Sequence, residues 1–193
     1  MNAVIFDMDG VLFDTETLAL KAALRASEAL GYGLTEEDVL ATLGMTEALT
    51  DQVYHNACTA YEPQAFWPVC NDSRRALLEE NGVPIKPHVR ETLAALRAQG
   101  LPLGLCSSSP MERIMWYLQS TGLTDVFRAI TAGRSDVPSK PAPDMYLNTA
   151  AALGVAPQHC LVVEDAPLGL RAARRAGMFT VMVPDLRPYT DDL

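Results

Sequence analysis

Two aspartates that follow an apolar N-terminal run are the residues best placed to do chemistry. Asp7 and Asp9 end the run Ala-Val-Ile-Phe-Asp-Met-Asp-Gly at residues 3–10, and residues 4–6 are typical of a short buried strand that Gly10 terminates. Open α/β sheets build their sites at the carboxyl ends of strands. Two like charges this close require either a cation between them or a proton on one of them. One Asp can then act as a nucleophile and its neighbour as acid and base, whereas a polar turn without chemistry is the alternative.

A second apolar segment runs directly into a row of hydroxyl side chains. Residues 103–106 are typical of a strand, and Ser107-Ser108-Ser109-Pro110 follows them at the start of a predicted helix. A serine hydroxyl and free backbone N–H groups at such a junction suit a phosphate oxygen. Ser109 is expected to cap the helix that begins at Pro110, and capping alone would explain the motif without a ligand.

A second pair of acids follows a third apolar segment. Leu161-Val162-Val163 runs into Glu164-Asp165, which either ends a strand at the same sheet edge as Asp7 or forms the acidic N-terminus of a helix. Paired acids at two strand ends favour the first interpretation.

One lysine lies in a proline-rich loop between these segments. Lys140 belongs to Ser139-Lys140-Pro141-Ala142-Pro143-Asp144, where the prolines predict an extended, fixed backbone. An isolated lysine is usually a solvated surface charge, but near a strand-end acid it would offset negative charge as it develops.

The elements that must position these residues fall into two blocks. Helical spacing without a convincing strand fills the first block, with helices predicted over 18–30, 35–43, 46–60 and 63–81. Strands and helices then alternate. The helices are predicted over 89–99, 110–120, 143–153 and 167–176, and the strands over 101–106, 127–131, 160–163 and 179–183. Single helices between strands imply right-handed crossovers. We therefore predict an α/β core with a doubly wound parallel sheet over 1–14 and 86–193, and an inserted four-helix cap over 15–85.

The amino-acid composition narrows the classes of molecule that this chain is expected to bind. The chain has 193 residues, 49% of them hydrophobic, and a net charge of −9, which argues against nucleic acid or an anionic membrane. The four cysteines have no Cys-x-x-Cys spacing, and reduced thiols are expected. No signal peptide or membrane-length apolar run is visible, so a cytoplasmic monomer acting on a small molecule is expected.

Asp7-Met8-Asp9-Gly10-Val11-Leu12-Phe13-Asp14-Thr15-Glu16 resembles the first motif of the haloacid dehalogenase superfamily, in its β-phosphoglucomutase and sugar-phosphatase branch. The serine, lysine and Glu164-Asp165 segments resemble its next three motifs in order, so the resemblance covers essentially the whole chain. It implies an aspartyl-phosphate mechanism in which Asp7 is the nucleophile and Asp9 the acid and base. It also implies that Lys140 is catalytic and that Ser107 and Ser108 bind phosphate. Asp7, the Asp9 carbonyl and Asp165 would hold Mg²⁺, with Glu164 acting through water.

The resemblance also identifies a substrate-reading loop in the cap. Gly44-Met45-Thr46-Glu47 corresponds to that loop, and phosphosugar mutases carry an arginine there, where this chain has Glu47. They also carry a histidine soon after the first motif, where this chain reads Thr17-Leu18-Ala19. Both departures favour hydrolysis of a small phosphorylated metabolite, of the sugar or polyol phosphate class. Arg74 and Arg75 are candidates for binding an anionic group of that substrate, and a solvated helix face is the alternative.

Other functions remain open at this point. A phosphosugar mutase, a metal-free dehalogenase and a non-catalytic protein share this fold. A signalling receiver also uses strand-end acids, a hydroxyl and a lysine, but should be shorter and lack the helical insert. Family members usually continue with a strand and a short helix after residues 181–184, whereas this chain ends at Asp191-Asp192-Leu193. Truncation or a simplified sheet edge would account for that difference.

Overall fold

Five short strands form one parallel sheet with the N-terminal strand at its centre. The structure, a computed structural model, describes residues 1–43, 45 and 47–186. The strands are β1 (Ala3–Phe6), β2 (Leu103–Cys106), β3 (Ala129–Thr131), β4 (Cys160–Glu164) and β5 (Phe179–Met182). Their order is β3-β2-β1-β4-β5, and every neighbouring pair is parallel. Phe6 aligns with Leu105 on one side and with Val163 on the other. The carboxyl ends of β1, β2 and β4 therefore lie side by side.

Eight α-helices occur in the described part of the chain. They are α1 (Thr15–Leu30), α2 (Glu36–Thr42), α3 (Glu47–Ala57), α4 (Pro63–Asn81), α5 (Val89–Ala98), α6 (Met111–Thr121), α7 (Asp144–Leu153) and α8 (Pro167–Arg175). A short 3₁₀ helix, Pro157–His159, precedes β4. None of the described helices is long and apolar enough to cross a membrane.

The sheet is covered on both faces because successive side chains of a strand point to opposite sides. Val4 and Phe6 of β1 belong to a cluster with residues of α5 and α6, whereas Ala3 and Ile5 pack with residues of α7 and α8. The central strands β1 and β2 are buried at every position and are near-continuous apolar runs, as parallel sheets require, whereas Phe179 and Val181 of the edge strand β5 are exposed. The predicted α/β class with a doubly wound parallel sheet is confirmed.

The chain divides into two compact units. One contains Met1–Asp14 and Val83–Asp185, and the other contains Thr15–Gly82. Residues 83–86, which follow α4, hydrogen-bond to the segment after β1: the Asp14 amide donates to the Pro84 carbonyl (2.9 Å) and the Lys86 amide to that of Leu12 (3.0 Å). These bonds place residues 83–86 in the α/β unit.

The helical unit has a hydrophobic core of its own. Tyr54, Tyr61 and Phe66 pack edge to face or tilted, with ring centroids 5.3–5.5 Å apart. Helix α2 begins with a capping box: the Thr35 hydroxyl accepts from the Asp38 amide, and the Asp38 carboxylate accepts from the Thr35 amide. This unit therefore folds around its own contacts.

Candidate active site

Polar side chains gather at the carboxyl ends of the three central strands. Asp7 directly follows β1, and its amide donates to the Val163 carbonyl of β4 at 2.9 Å. Ser107 directly follows β2, and its amide donates to the Thr131 carbonyl of β3 at 3.0 Å. Asp7 and Ser107 are 6% and 1% exposed, so both are held rigidly at the sheet edge.

Lys140 reaches this edge from the loop between β3 and α7. Its Nζ donates to Oδ1 of Asp7, to Oε1 of Glu164 at 2.6 Å and, at 3.5 Å, to the Cys106 carbonyl. An ammonium group has three N–H donors, so each one faces an oxygen. Burial alone would lower the pKa of Lys140, but the carboxylates of Asp7 and Glu164 outweigh it and hold that pKa well above its ordinary value. Lys140 is therefore a fixed positive charge beside Asp7.

The Lys140 loop does not have the extended backbone that its prolines predict. The Lys140–Pro141 peptide bond is cis, and the Ala142 amide donates to the Ser139 carbonyl at 3.0 Å. This hydrogen bond closes a turn, so the expectation of an extended segment is wrong.

Glu164 is a fully buried carboxylate, and each of its described hydrogen-bond partners is a donor. Its Oε1 accepts from Lys140 and from the Tyr146 hydroxyl, the latter at 2.8 Å. Its Oε2 accepts from the amides of Asp165 (3.1 Å) and Ala166 (2.9 Å). A carboxylate has about four lone-pair sites, and these four bonds use them. The arrangement therefore favours Glu164 as the residue that holds Lys140, a role that the sequence did not indicate.

Two glycines make room for the acids. A Cβ at Gly169 of α8 would lie 1.6 Å from Oε1 of Glu164. At Gly10, where φ is 76°, a Cβ would lie 2.2 Å from Oδ2 of Asp165. Any larger residue at either position would displace an acid of the site.

Acidic side chains are concentrated at this edge. Among Asp7, Asp9, Glu164 and Asp165, the ammonium of Lys140 contacts two, Asp7 and Glu164. Burial, together with the charges of Glu164 and Asp9, raises the pKa of Asp7 to about 8 against the opposing effect of Lys140. A proton or a cation is therefore needed to stabilise the cluster.

The donor set fits a hard divalent cation. Asp7, Glu164 and Asp165 each offer one carboxylate oxygen, and these atoms lie within 4.8 Å of one another. Mg²⁺ prefers oxygen ligands and is commonly bound through one or two carboxylates. Because Glu164 is already saturated by four donors, Asp7 and Asp165 are the stronger candidates among the three.

Asp9 is held by the serine segment that follows β2. The Ser109 hydroxyl donates to Oδ2 of Asp9 at 3.1 Å, and the Ser109 amide donates to the Ser107 hydroxyl at 3.1 Å. Helix α6 has Pro110 at its N-cap position with no side-chain cap, so the expectation that Ser109 caps this helix is wrong. Its hydroxyl is used by Asp9 instead. Ser108, in contrast, is exposed at the same edge.

The predicted cap residues lie in the helical unit. Glu47 is the exposed first residue of α3, and Arg75 is an exposed residue of α4 that pairs with Asp72 one turn earlier. Arg74 is half-buried. Thr46 lies outside the described residues, as do Gly44 and Asp191-Asp192-Leu193.

Tyr146 is the site residue that sequence reasoning missed. It is fully buried in the first turn of α7, its hydroxyl bonds to Glu164, and Lys140 Nζ lies 5.0 Å from its ring centroid. In the sequence it occupies an apolar helical position, which gives no signal of a polar role. Its position six residues after Lys140 in the sequence was the only available clue.

The chain is similar to known phosphatases. The model of the haloacid dehalogenase-like hydrolase family matches residues 4–183. Hexitol phosphatase B of Escherichia coli (strain K12) is 35% identical over 184 residues, which cover 94% of this chain and 83% of the relative. A phosphorylated carbohydrates phosphatase of Thermotoga maritima is 32% identical over 183 residues, covering 92% of this chain and 82% of the relative.

Solved structures of similar proteins also match this chain in fold. A haloacid dehalogenase family hydrolase from Deinococcus radiodurans R1, with bound phosphate and sodium, gives a TM-score of 0.80 at 29% identity, covering 93% of this chain and 79% of that one. A β-phosphoglucomutase from Clostridium difficile gives 0.70 at 26% identity, covering 96% and 85%. The predicted family and enzyme class are confirmed: the chain belongs to the haloacid dehalogenase-like hydrolases and is a hydrolase of the phosphoric monoester type.

Proposed function

We propose that this chain is a Mg²⁺-dependent phosphatase that hydrolyses a small phosphorylated metabolite of the sugar or polyol class through an aspartyl-phosphate intermediate. The observation that carries the proposal is the bridge from Lys140 to Asp7 and Glu164 at the carboxyl ends of β1 and β4. A buried cation fixed against a strand-end carboxylate suits a reaction in which negative charge develops on a transferring phosphoryl group.

In the first step, a carboxylate oxygen of Asp7 attacks phosphorus in line with the leaving oxygen. The bond from phosphorus to the leaving group breaks as Asp9 donates its proton to that oxygen, which yields a free hydroxyl and an aspartyl phosphate. The Ser109 hydroxyl orients the Asp9 carboxyl for this transfer. Acid and base help of this kind contributes roughly 10²–10⁴-fold in rate.

In the second step, Asp9 is the base. It takes a proton from water as the water oxygen attacks phosphorus, and the bond from phosphorus to Asp7 breaks. Inorganic phosphate leaves, the Asp7 carboxylate is restored, and Asp9 again carries its proton. The Ser107 hydroxyl and the Ser108 amide bind the phosphoryl oxygens in both steps, and the ammonium of Lys140 offsets the charge that develops on them.

Mg²⁺ would be held by Asp7, Asp165 and the Asp9 carbonyl, and when bound it would offset the charge of the acids and of the substrate phosphate. The concentration of acids at this edge supports that assignment.

We infer the substrate class from the relatives and the role of the helical unit from the family resemblance. The Escherichia coli relative is named for hexitol phosphates and the Thermotoga maritima relative for phosphorylated carbohydrates. Residues 15–82 of the predicted 15–85 segment would serve as the cap that reads the leaving group, with Thr46, Glu47 and Arg75 as the candidate contacts, because residues 83–85 belong to the α/β unit. The mutase alternative lacks support from residues, since Glu47 stands where mutases carry an arginine.

A phosphate-release panel tests the proposal. Purified protein with Mg²⁺ should release inorganic phosphate from one or more hexose and hexitol phosphates, and a chelator should stop the reaction. Phosphorus NMR of the same mixtures separates the alternatives: free phosphate supports hydrolysis, and an isomerised sugar phosphate supports the mutase. An inert wild-type protein across the panel would contradict both.

A further inference from the structure

Tyr146 contacts both charged partners of the Lys140 bridge. Its hydroxyl donates to Oε1 of Glu164 at 2.8 Å, the same oxygen that accepts from Lys140 Nζ at 2.6 Å. Its ring faces the same ammonium, 5.0 Å from the centroid. A cation over an aromatic face is attracted by the ring quadrupole, and more strongly where water is excluded. One buried side chain therefore restrains Lys140 in two ways.

The Tyr146 hydroxyl stays protonated and therefore remains a hydrogen-bond donor. Burial raises the pKa of Tyr146 well above its ordinary value, so the hydroxyl keeps its proton. At its other oxygen, Oε2, Glu164 is anchored by the amides of Asp165 and Ala166. Gly169 closes the remaining side of the carboxylate. The position of Oε1, the oxygen that Tyr146 and Lys140 share, thus depends on these two donors.

Removing the hydroxyl would loosen this arrangement. Oε1 of Glu164 would keep Lys140 as its single donor, and the ammonium could follow the carboxylate oxygen away from Asp7. A network of buried hydrogen bonds can stabilise a site by more than the sum of its individual bonds, because each bond polarises the next.

We propose that Tyr146 is a positioning residue, which through Glu164 and its own ring fixes the Lys140 ammonium beside Asp7. This inference rests on the proposed phosphatase function for its kinetic consequence, but not for its structural one. Tyr146 touches neither the reacting carboxylate nor the phosphate-binding serines by any hydrogen bond described, so its effect passes through Lys140.

Tyr146→Phe separates the two restraints, because it keeps the ring and removes the hydroxyl. Partners that orient a site residue typically contribute about 10–100-fold, so kcat for phosphate release should fall about tenfold with KM and the Mg²⁺ requirement unchanged. Tyr61→Phe is the matched control, since Tyr61 is a buried tyrosine of the helical unit whose hydroxyl donates to the Asp51 carboxylate at 2.6 Å. It should lower thermal stability to a similar extent and leave kcat unchanged.

A second readout does not depend on activity. The chain has three lysines, Lys21, Lys86 and Lys140, so isotope-labelled lysine ammonium groups can be assigned by NMR with Lys21→Arg and Lys86→Arg. The Lys140 ammonium should give a proton–nitrogen cross-peak, protected from exchange, in the wild type and in Tyr61→Phe. Tyr146→Phe should lose it.

The outcomes are distinct. Loss of the cross-peak together with the fall in kcat supports the inference, and either an unchanged cross-peak or a wild-type kcat in Tyr146→Phe overturns it. If the wild type releases no phosphate, the proposed function fails, and the cross-peak alone decides whether Tyr146 positions Lys140.

Discussion

Lys140 and Glu164 form a buried ion pair between a loop and a strand end, with Nζ of the lysine 2.6 Å from Oε1 of the glutamate. Their side chains are 10% and 1% exposed. The same Nζ contacts Oδ1 of Asp7, so the pair ties the end of β4 to the end of β1. The chemistry proposed for Asp7 thus depends on a charge that Glu164 holds in place.

Glu164→Gln should destabilise the protein and reduce turnover. All four hydrogen bonds to this side chain come from donors, so the new NH₂ group must face either Lys140 and Tyr146 or two backbone amides. Breaking a buried pair costs about 3 kcal/mol, which urea unfolding would measure. Glu112→Gln, at an exposed position of α6, is the control and should change neither property. A Glu164→Gln protein as stable as the wild type would contradict the pairing.

Gly169→Ala should be harmful although alanine is the better helix former. A Cβ there would lie 1.6 Å from Oε1 of Glu164, so the carboxylate or the helix must move. Overpacking costs about 2 kcal/mol, which exceeds the gain of about 1 kcal/mol expected from helix propensity. Thermal unfolding and phosphate release should both decline, whereas Leu168→Ala at the exposed neighbouring position should preserve turnover. A stabilised Gly169→Ala protein with full activity would show that this contact is unimportant.

Ser109→Ala should slow turnover without weakening the fold greatly. Its hydroxyl donates to Oδ2 of Asp9 at 3.1 Å, and hydrogen bonds to charged groups contribute about 1.5 kcal/mol, so kcat should fall by roughly tenfold. Ser120→Ala, exposed near the end of α6, serves as the control in the same phosphate-release assay. Equal rates of phosphate release in the two variants would show that the Ser109 hydroxyl does not contribute to turnover.

The effect of Mg²⁺ on stability should grow with pH. Without metal, the pKa of Asp7 rises from 3.8 in the unfolded chain to about 8 in the folded one, chiefly through burial. The folded state therefore holds a proton that the unfolded chain releases, and this stabilisation is complete below the lower pKa and lost as pH rises towards the higher one. Mg²⁺ displaces that proton, so its binding strengthens across the same window.

Differential scanning calorimetry with a chelator or with excess Mg²⁺, across this pH window, measures the effect. The midpoint difference between the two conditions should increase with pH in the wild type and vary much less in Asp7→Asn. A difference that is constant with pH would argue against Mg²⁺ binding at Asp7.

The parts of the fold set by local pattern could be read from the sequence. Helix α4 spans Pro63–Asn81 as predicted, because a proline at its first position and a glycine after its last residue define both ends. The strands could be predicted because each is a short apolar run beside glycine-terminated helices. Since Asp7, Ser107 and Glu164 lie at the carboxyl ends of three such strands, they could be predicted to share one edge of the sheet.

The errors and omissions share a physical cause. A serine directly before a predicted helix is typical of a helix cap. The Ser109 hydroxyl instead donates to the carboxylate of Asp9, which is one hundred residues away in the chain. Tyr146 follows an apolar helical pattern, yet its hydroxyl is buried against Glu164. Such contacts depend on which strands become neighbours and not on local spacing, so a single sequence gives them no signal.

The most direct test of the central claim is to trap the phosphoryl group on Asp7. Asp9→Asn should retain the nucleophile and lose both the acid of the first step and the base of the second. With an aryl phosphate, whose leaving group needs no proton, the first step should still proceed, so the aspartyl phosphate should accumulate when this variant is mixed with Mg²⁺ and that substrate. Acid quenching followed by peptide mass spectrometry should then find a phosphoryl adduct on the peptide that contains residue 7. The doubly substituted Asp7→Asn, Asp9→Asn protein should show none, and Asp125→Asn, at an exposed position, should turn over like the wild type. Phosphate release by Asp7→Asn at the wild-type rate, with no adduct on that peptide in Asp9→Asn, would contradict the account.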